Sequence, residues 1–292
     1  MMDGAFVERV GRDRHIGLRS ALLGLHACEL PACWVSERAT AGALSSGLPP
    51  ASRRALEQSG VALVALDEPL SNRAFRGLGE TLGVPLVEGD PSVQPFVEEH
   101  VILNVVDTHP AGIDASLQPF SKGLLSLHSE SSGRSLHEQP RYIVLMCCQA
   151  PQAMTADTVL VPMNRVAERL SVAEREVLAR TRYRRNSSAP YILRTEAGRS
   201  VFSFRDFMAD TLEWVHDGAA AAAEVNAALA RLLASMYEPA GASTVRWFPG
   251  LLAVVDNTFV FHGRRAGSIE SCRERRLKRL RLLPHAEPGV LD

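Results

Sequence analysis

Three residues of metal-holding type stand out by spacing. His128 and Glu130 lie two apart in Leu124-Leu125-Ser126-Leu127-His128-Ser129-Glu130, and His262 lies far downstream in Phe259-Val260-Phe261-His262-Gly263-Arg264. On a strand, alternate side chains share a face, so Leu124, Ser126, His128 and Glu130 are expected to point the same way. An imidazole and a carboxylate converging there supply two of the three ligands of a facial triad, which holds Fe(II) and leaves three positions open. A distant histidine would be the third. His285-Ala286-Glu287 repeats the pair, but it follows Pro284 with no histidine downstream. His262 sits at the end of an apolar run, and the glycine after it would let backbone approach a cofactor closely.

The elements that must carry these residues read as short strands. Val61–Leu66 has the continuous apolar pattern of a buried strand, and Ser71–Leu82 reads as an amphipathic helix capped by serine and closed at Gly83. Runs near Glu98–Asp107, Leu124–Glu130, Tyr142–Cys148, Leu251–Val255, Phe259–His262 and Leu277–Leu283 are β-rich. Asp256-Asn257 marks a tight turn between two of them, and Glu196-Ala197-Gly198 marks a hairpin within Tyr191–Phe204. Arg165–Arg180 and Ala219–Tyr237 read as helices, and residues 1–60 as a helical N-terminal extension. Short strands on both sides of a helical stretch predict a mainly β sandwich or barrel with flanking helices, not alternating βαβ units.

Composition removes several function classes. With 32 basic and 33 acidic residues the net charge is −1, so no global field recruits nucleic acid or an anionic membrane. The run Arg273–Arg281 is basic, yet it has no interleaved aromatics for stacking bases, and no nucleic-acid partner is expected. No stretch of 18 apolar residues occurs, and the start lacks the charged-then-apolar order of a signal peptide. Five cysteines, two adjacent inside an apolar run, suit a reducing compartment. The expectation is a cytoplasmic protein that neither crosses a membrane nor is exported.

The ordered motifs make the reading more specific. Leu125-Ser126-Leu127-His128-Ser129-Glu130, Gln139-Pro140-Arg141-Tyr142 leading to Cys147-Cys148, Asp157-Thr158-Val159-Leu160, Val255-Asp256-Asn257 through His262-Gly263-Arg264, and Glu274-Arg275-Arg276-Leu277-Lys278-Arg279 occur in this order. The pattern resembles the Fe(II)/2-oxoglutarate dioxygenases of the TauD/TfdA superfamily, in their clavaminate synthase-like branch, over roughly residues 61–284. The resemblance implies a double-stranded β-helix, or jelly roll, as one oxygenase domain spanning 1–292. Its core would be 61–163 and 246–284, with 1–60 as extension and 164–245 as a helical insertion or lid. It implies His128, Glu130 and His262 as ligands of Fe(II), with 2-oxoglutarate and dioxygen as cosubstrates.

The resemblance also implies an arginine after the distal histidine that grips the far carboxylate of 2-oxoglutarate, a task suited to a planar guanidinium fork. Alignment places it at Arg275. Strand parity leaves Arg276 open, since Arg275 shares a face with Leu277 and Leu283 while Arg276 shares one with Leu280 and Leu282. Thr158 matches a threonine that touches the same carboxylate, with Thr155 and Ala156 where the family has two glycines. The implied reaction is hydroxylation of an unactivated C–H bond in an amino acid or a molecule derived from one, free or carrier-bound, in secondary metabolism such as antibiotic biosynthesis. Arg264, Ser129, Asp206 and Asp210 are candidate substrate contacts. The alternatives are a desaturase or cyclase, a taurine- or sulfonate-type dioxygenase, and a jelly-roll binding protein without iron.

Overall fold

The computed structural model describes residues 1–106, 120–121, 123–150, 156–208, 210–267 and 275–285. Arg273 and Glu274 of the basic run lie outside them. Along the chain come β1 (Met2–Phe6), α1 (Arg14–Leu23), β2 (Glu37–Ala39), α2 (Pro50–Ser59), β3 (Val61–Leu66), α3 (Asn72–Leu82), β4 (Val84–Pro85), β5 (Val97–Glu98) and β6 (Ile102–Val106). Next are β7 (Leu125–His128), β8 (Tyr142–Gln149), β9 (Thr158–Pro162), α4 (Met163–Glu168), α5 (Val172–Leu178), β10 (Thr181–Tyr183), β11 (Leu193–Glu196) and β12 (Arg199–Phe202). The chain continues through β13 (Leu212–His216), α6 (Ala222–Met236), β14 (Ser243–Val245), β15 (Leu251–Asp256), β16 (Val260–Arg264) and β17 (Arg276–Leu283).

The architecture is mainly β with several helices. An eight-stranded sheet runs β2-β3-β15-β8-β17-β6-β5, with β4 also on β17, and a four-stranded sheet runs β14-β9-β16-β7. Alternation explains the layering. The Ala62, Val64 and Leu66 face of β3 packs with Leu56 of α2 and with Phe75 and Leu78 of α3. The Leu63 face joins Ala253, Val255 and Leu277 of the large sheet and Leu160, Val245 and Val260 of the small one, so the two sheets face each other across an apolar layer. On its other face the small sheet offers Leu127, Val159, Val161 and Phe261 to residues of α1, α4 and α6. Burying a large apolar side chain contributes roughly 1.5–3 kcal/mol, and layers covered on both sides explain why these strands read as apolar runs rather than strict alternations.

Helix α3 forms as its sequence predicts, with the Ser71 hydroxyl accepting from Ala74 N–H and the chain leaving at Gly83. Gly79 lets α3 lie close to β17, because a Cβ there would stand 2.8 Å from a methyl of Leu280. The hairpin turn at Ala197-Gly198 takes positive φ at both residues, 49° and 76°, as a two-residue hairpin turn requires.

Four expectations need correction. Residues 1–60 are not simply helical: β1 pairs antiparallel with β13, and β2 lies parallel to β3. The stretch 164–245 is likewise mixed, carrying β10 to β14, the last of which pairs with β9. One helix over Arg165–Arg180 is replaced by α4 and α5, since Ser171 and Glu174 form a capping box that starts a new helix. Finally, β15 and β16 do not pair with each other; the chain leaves the large sheet at Asp256 and enters the small one at Val260. The Asp256 carboxylate accepts from Thr258 N–H at 2.8 Å and from its hydroxyl at 2.7 Å, which folds this crossing tightly.

Candidate metal centre and anion sites

Strands β7 and β16 are antiparallel neighbours in which His128 and His262 are direct partners. Their rings sit 4.2 Å apart between centroids, tilted by 50°. Gly263 serves this pairing: a Cβ there would meet the Leu125 carbonyl oxygen at 2.7 Å, so the glycine admits the neighbouring strand's backbone. That corrects the expectation that it makes room for a cofactor. β7 ends at His128, so Glu130 is placed not by strand alternation but by the turn that follows. Asn257, beside the β15–β16 crossing, builds that turn: its Oδ1 accepts from Glu130 N–H at 2.7 Å, and its Nδ2 donates to the carbonyls of Glu130 and Pro140 at 3.1 and 3.0 Å.

The three side chains converge. Glu130 Oε2 lies 3.7 Å from Nε2 of His128 and 3.7 Å from Nε2 of His262, with side chains 12 % exposed. Among the described residues these three form the one cluster of at least three His, Cys, Asp or Glu suited to a metal, with ligand atoms within 4.8 Å of one another. Cis donors of a six-coordinate first-row ion, each about 2.1 Å from it, would stand about 3.0 Å apart, so the 3.7 Å separations need only a small side-chain adjustment to close on one ion. The donor set therefore fits a single ferrous ion. The tautomers fit as well: His128 Nδ1 donates to the Ser126 carbonyl at 2.8 Å, which leaves Nε2 with its lone pair.

Electrostatics keep the donors in ligand form. For Glu130, burial pushes the carboxyl up, but Arg279, the two histidines and Arg281 together hold it well below the usual carboxylate range. Burial and the neighbouring His128 push His262 down to about 4, so its imidazole is neutral at pH 7. Burial would lower the Arg279 guanidinium, but Glu130 and Glu88 more than offset this and raise it.

A second set of candidates gathers elsewhere. Arg275 is buried and donates from Nη1 to the Ala156 carbonyl at 3.0 Å, which brings it to the segment carrying Thr158. The Thr158 hydroxyl accepts from Trp247 Nε1 at 3.0 Å. Arg276 is exposed on β17. Burial raises the Asp157 carboxyl in spite of Arg265, Arg246 and Arg275 nearby.

Three of the four candidate substrate contacts have other engagements. Buried Arg264 donates from Nη2 to the Gly123 carbonyl at 3.0 Å and to the Ser121 carbonyl, tying β16 to the segment that leads into β7. Ser129 exchanges bonds with the Phe204 backbone, accepting from its N–H at 3.0 Å. Asp206 is buried and saturated by Arg19, Tyr237 and Met208 N–H, so it has no lone pair left for a substrate. Asp210 is exposed at the surface.

Sequence reasoning missed Glu88, Asn257, Arg279 and Arg281. The two arginines were within reach, since Arg275, Leu277, Arg279 and Arg281 alternate along one strand face. Glu88 had no signal, because nothing local ties it to a strand nearly two hundred residues away.

The family model described as "Taurine catabolism dioxygenase TauD, TfdA family" matches residues 30–281. The chain belongs to this family. It is an Fe(II)- and 2-oxoglutarate-dependent dioxygenase. Among curated proteins no sequence matches it. Its fold is similar to that of asparagine oxygenase in complex with Fe(II), 2S,3S-3-hydroxyasparagine and succinate, at 20% identity over 80% of this chain and 77% of that chain, with a TM-score of 0.57. PvcB from Pseudomonas aeruginosa, an Fe, alpha-ketoglutarate dependent oxygenase from an isonitrile synthetic pathway, is 22% identical over 82% of this chain and 81% of that one, with a TM-score of 0.55. A taurine dioxygenase from Burkholderia xenovorans is 16% identical over 88% and 90%, with a TM-score of 0.59. No helix among the described residues is long and apolar enough to cross a membrane.

Proposed function

We propose that this dioxygenase hydroxylates an unactivated C–H bond of an amino acid or an amino-acid-derived metabolite, free or carrier-bound, in a cytoplasmic pathway of secondary metabolism. The observation that carries the reading is the convergence of His128 Nε2 and His262 Nε2 on one oxygen of Glu130. The facing sheets are read as a double-stranded β-helix within a single oxygenase domain over 1–292. Its core is 61–163 and 246–284, 1–60 is an extension, and 164–245 is an insertion that covers the site.

His128, Glu130 and His262 would hold the ion and leave one face of it open. Fe(II) with 2-oxoglutarate and dioxygen supplies a four-electron balance in which one oxygen atom goes to succinate, with loss of carbon dioxide, and the other to the substrate carbon. Arg275 would grip the distal carboxylate of 2-oxoglutarate, with Thr158 on the same anion; Arg276, exposed, is the weaker choice. A neutral His262 imidazole and a charged Glu130 are ready as donors without a proton to displace. Amino-acid chemistry is supported by the fold neighbours: asparagine oxygenase holds hydroxyasparagine, and the iron oxygenase OrfP, a variant of which holds (3S)-hydroxy-L-Arg, is 16% identical with a TM-score of 0.57.

The test is a screen of amino acids, carrier-bound aminoacyl groups and sulfonates for stimulated succinate release with Fe(II) and 2-oxoglutarate, followed by the product mass. A product heavier by one oxygen atom from an amino-acid-type substrate supports the reading. One lighter by two hydrogens redirects it to desaturation or cyclisation. Stimulation by sulfonates alone, or no succinate and no bound iron, overturns it.

A further inference from the structure

The two oxygens of Glu130 are sorted by partner. Oε2 faces the two histidine Nε2 atoms, whereas Oε1 faces Arg279 Nη1 at 3.6 Å and Arg281 Nη1 at 3.5 Å. Both arginines project from one face of β17. Behind them lies Glu88, 3 % exposed, whose Oε1 accepts from Arg279 Nη2 at 3.1 Å and Arg281 Nε at 3.0 Å, while its Oε2 accepts from Arg281 Nη2 at 2.7 Å. Arg281 thus spends its Nε–Nη2 edge on Glu88 and Arg279 its Nη2 alone, and each turns Nη1 toward Glu130. Glu88 is itself fixed by its backbone, whose N–H donates to the His100 carbonyl at 3.0 Å and whose carbonyl accepts from Gln94.

We propose that Glu88 is a positioning residue for the metal centre, clamping Arg279 and Arg281 onto Glu130 Oε1 so that Glu130 offers only Oε2 to the ion. The inference rests on His128, Glu130 and His262 being the ligands. A carboxylate free at both oxygens can swing or bind through both and close a position that the cosubstrates need. Here the second oxygen already faces two guanidinium groups, which the Glu88 carboxylate holds side by side despite their mutual repulsion. Partners that orient a ligating group in this way typically account for about 10–100-fold in metal affinity.

The experiment is anaerobic titration of the full chain with Co(II), without 2-oxoglutarate, reading the dissociation constant and the visible ligand-field bands. Glu88→Gln, close in shape but uncharged, should weaken Co(II) by about 10–100-fold and change the band pattern, and Glu88→Asp should recover part of the loss. Wild-type affinity and bands in folded Glu88→Gln would overturn the proposal. If that variant does not fold, Glu88→Gln with Arg281→Gln, which removes one charge of each sign, takes its place: equal weakening supports the clamp, and unchanged binding refutes it. Failure of the ligand assignment looks different, since wild type and Glu130→Ala would then bind Co(II) alike.

Discussion

Two buried clusters of carboxylates and arginines adjoin β7 and the turn after it, and they are built to opposite ends. In one, Asp206 receives Arg19 through Nε and Nη2 at 2.7 and 2.9 Å, Tyr237 Oη at 2.5 Å and Met208 N–H at 3.0 Å, and Glu8 takes the rest of Arg19. The Asp206 backbone bonds Leu127 and the Ser126 hydroxyl, so this cluster fastens α1 and α6 to the back of β7. In the other, Glu130 approaches Arg281 no closer than 3.5 Å and Arg279 no closer than 3.6 Å, and its other oxygen is aimed at the two imidazole Nε2 atoms. A strut saturates its carboxylate with short bonds. A site keeps one oxygen uncommitted.

The largest expected effect separates the two at once. Glu130→Ala should abolish Fe(II) binding and succinate release at a smaller cost in apo stability than loss of the strut, because Glu88 still pairs with both Arg279 and Arg281. Asp206→Asn should do the reverse. It leaves Arg19 buried with one partner fewer, at a cost of about 3–5 kcal/mol, or roughly 5–15 °C in thermal midpoint, with turnover per folded molecule unchanged. Calorimetry beside a succinate assay decides; a raised substrate KM in Asp206→Asn without loss of stability would make Asp206 a substrate contact and erase the distinction.

The difference between the clusters also explains what the sequence could disclose. Val61–Leu66, the Ser71 cap and the Ala197-Gly198 turn were legible because each is fixed by neighbours in sequence: an apolar run, a cap, a pair of turn residues. The His128 and Glu130 pair was legible for the same reason, although a turn pinned by Asn257, not strand parity, places Glu130. Strand alternation put Arg279 and Arg281 on one face but not what that face meets, because their partner Glu88 lies on a distant segment whose register with β17 no local period specifies. Asp206 read as a candidate substrate contact for want of its partners, Arg19 and Tyr237, and β1 was hidden because its pairing with β13 spans most of the chain.

Acidification should divide the clusters next. His262 has a folded value of about 4 against about 6.5 when unfolded, so the unfolded chain binds more protons between these values. Stability from this group is present above about pH 6.5 and is lost as pH falls toward 4, by at most about 3 kcal/mol. Apo chain melted across this window should show the decline, His262→Gln should flatten it, and Asp206→Asn should leave its slope alone. The strut has its own limb at the other end: burial and Asp206 raise Tyr237 well above the usual phenol value, so the native state resists ionisation and loses stability as pH climbs beyond about 10. Tyr237→Phe should remove that alkaline sag and leave the acid limb in place.

The smallest effect concerns Arg275, the residue just before β17. Arg275 is buried and donates to the Ala156 carbonyl, close to the segment that carries Thr158. Charge-assisted hydrogen bonds to an anion contribute about 1.5–3 kcal/mol. Arg275→Gln should therefore raise the 2-oxoglutarate KM by about 10–100-fold, with kcat at saturating cosubstrate and the Co(II) affinity little altered. Arg276→Gln, one residue on but exposed, should stay close to wild type. Equal shifts in the two variants would show that the β17 arginines act through their summed field, and burial would then no longer identify which of them grips the cosubstrate.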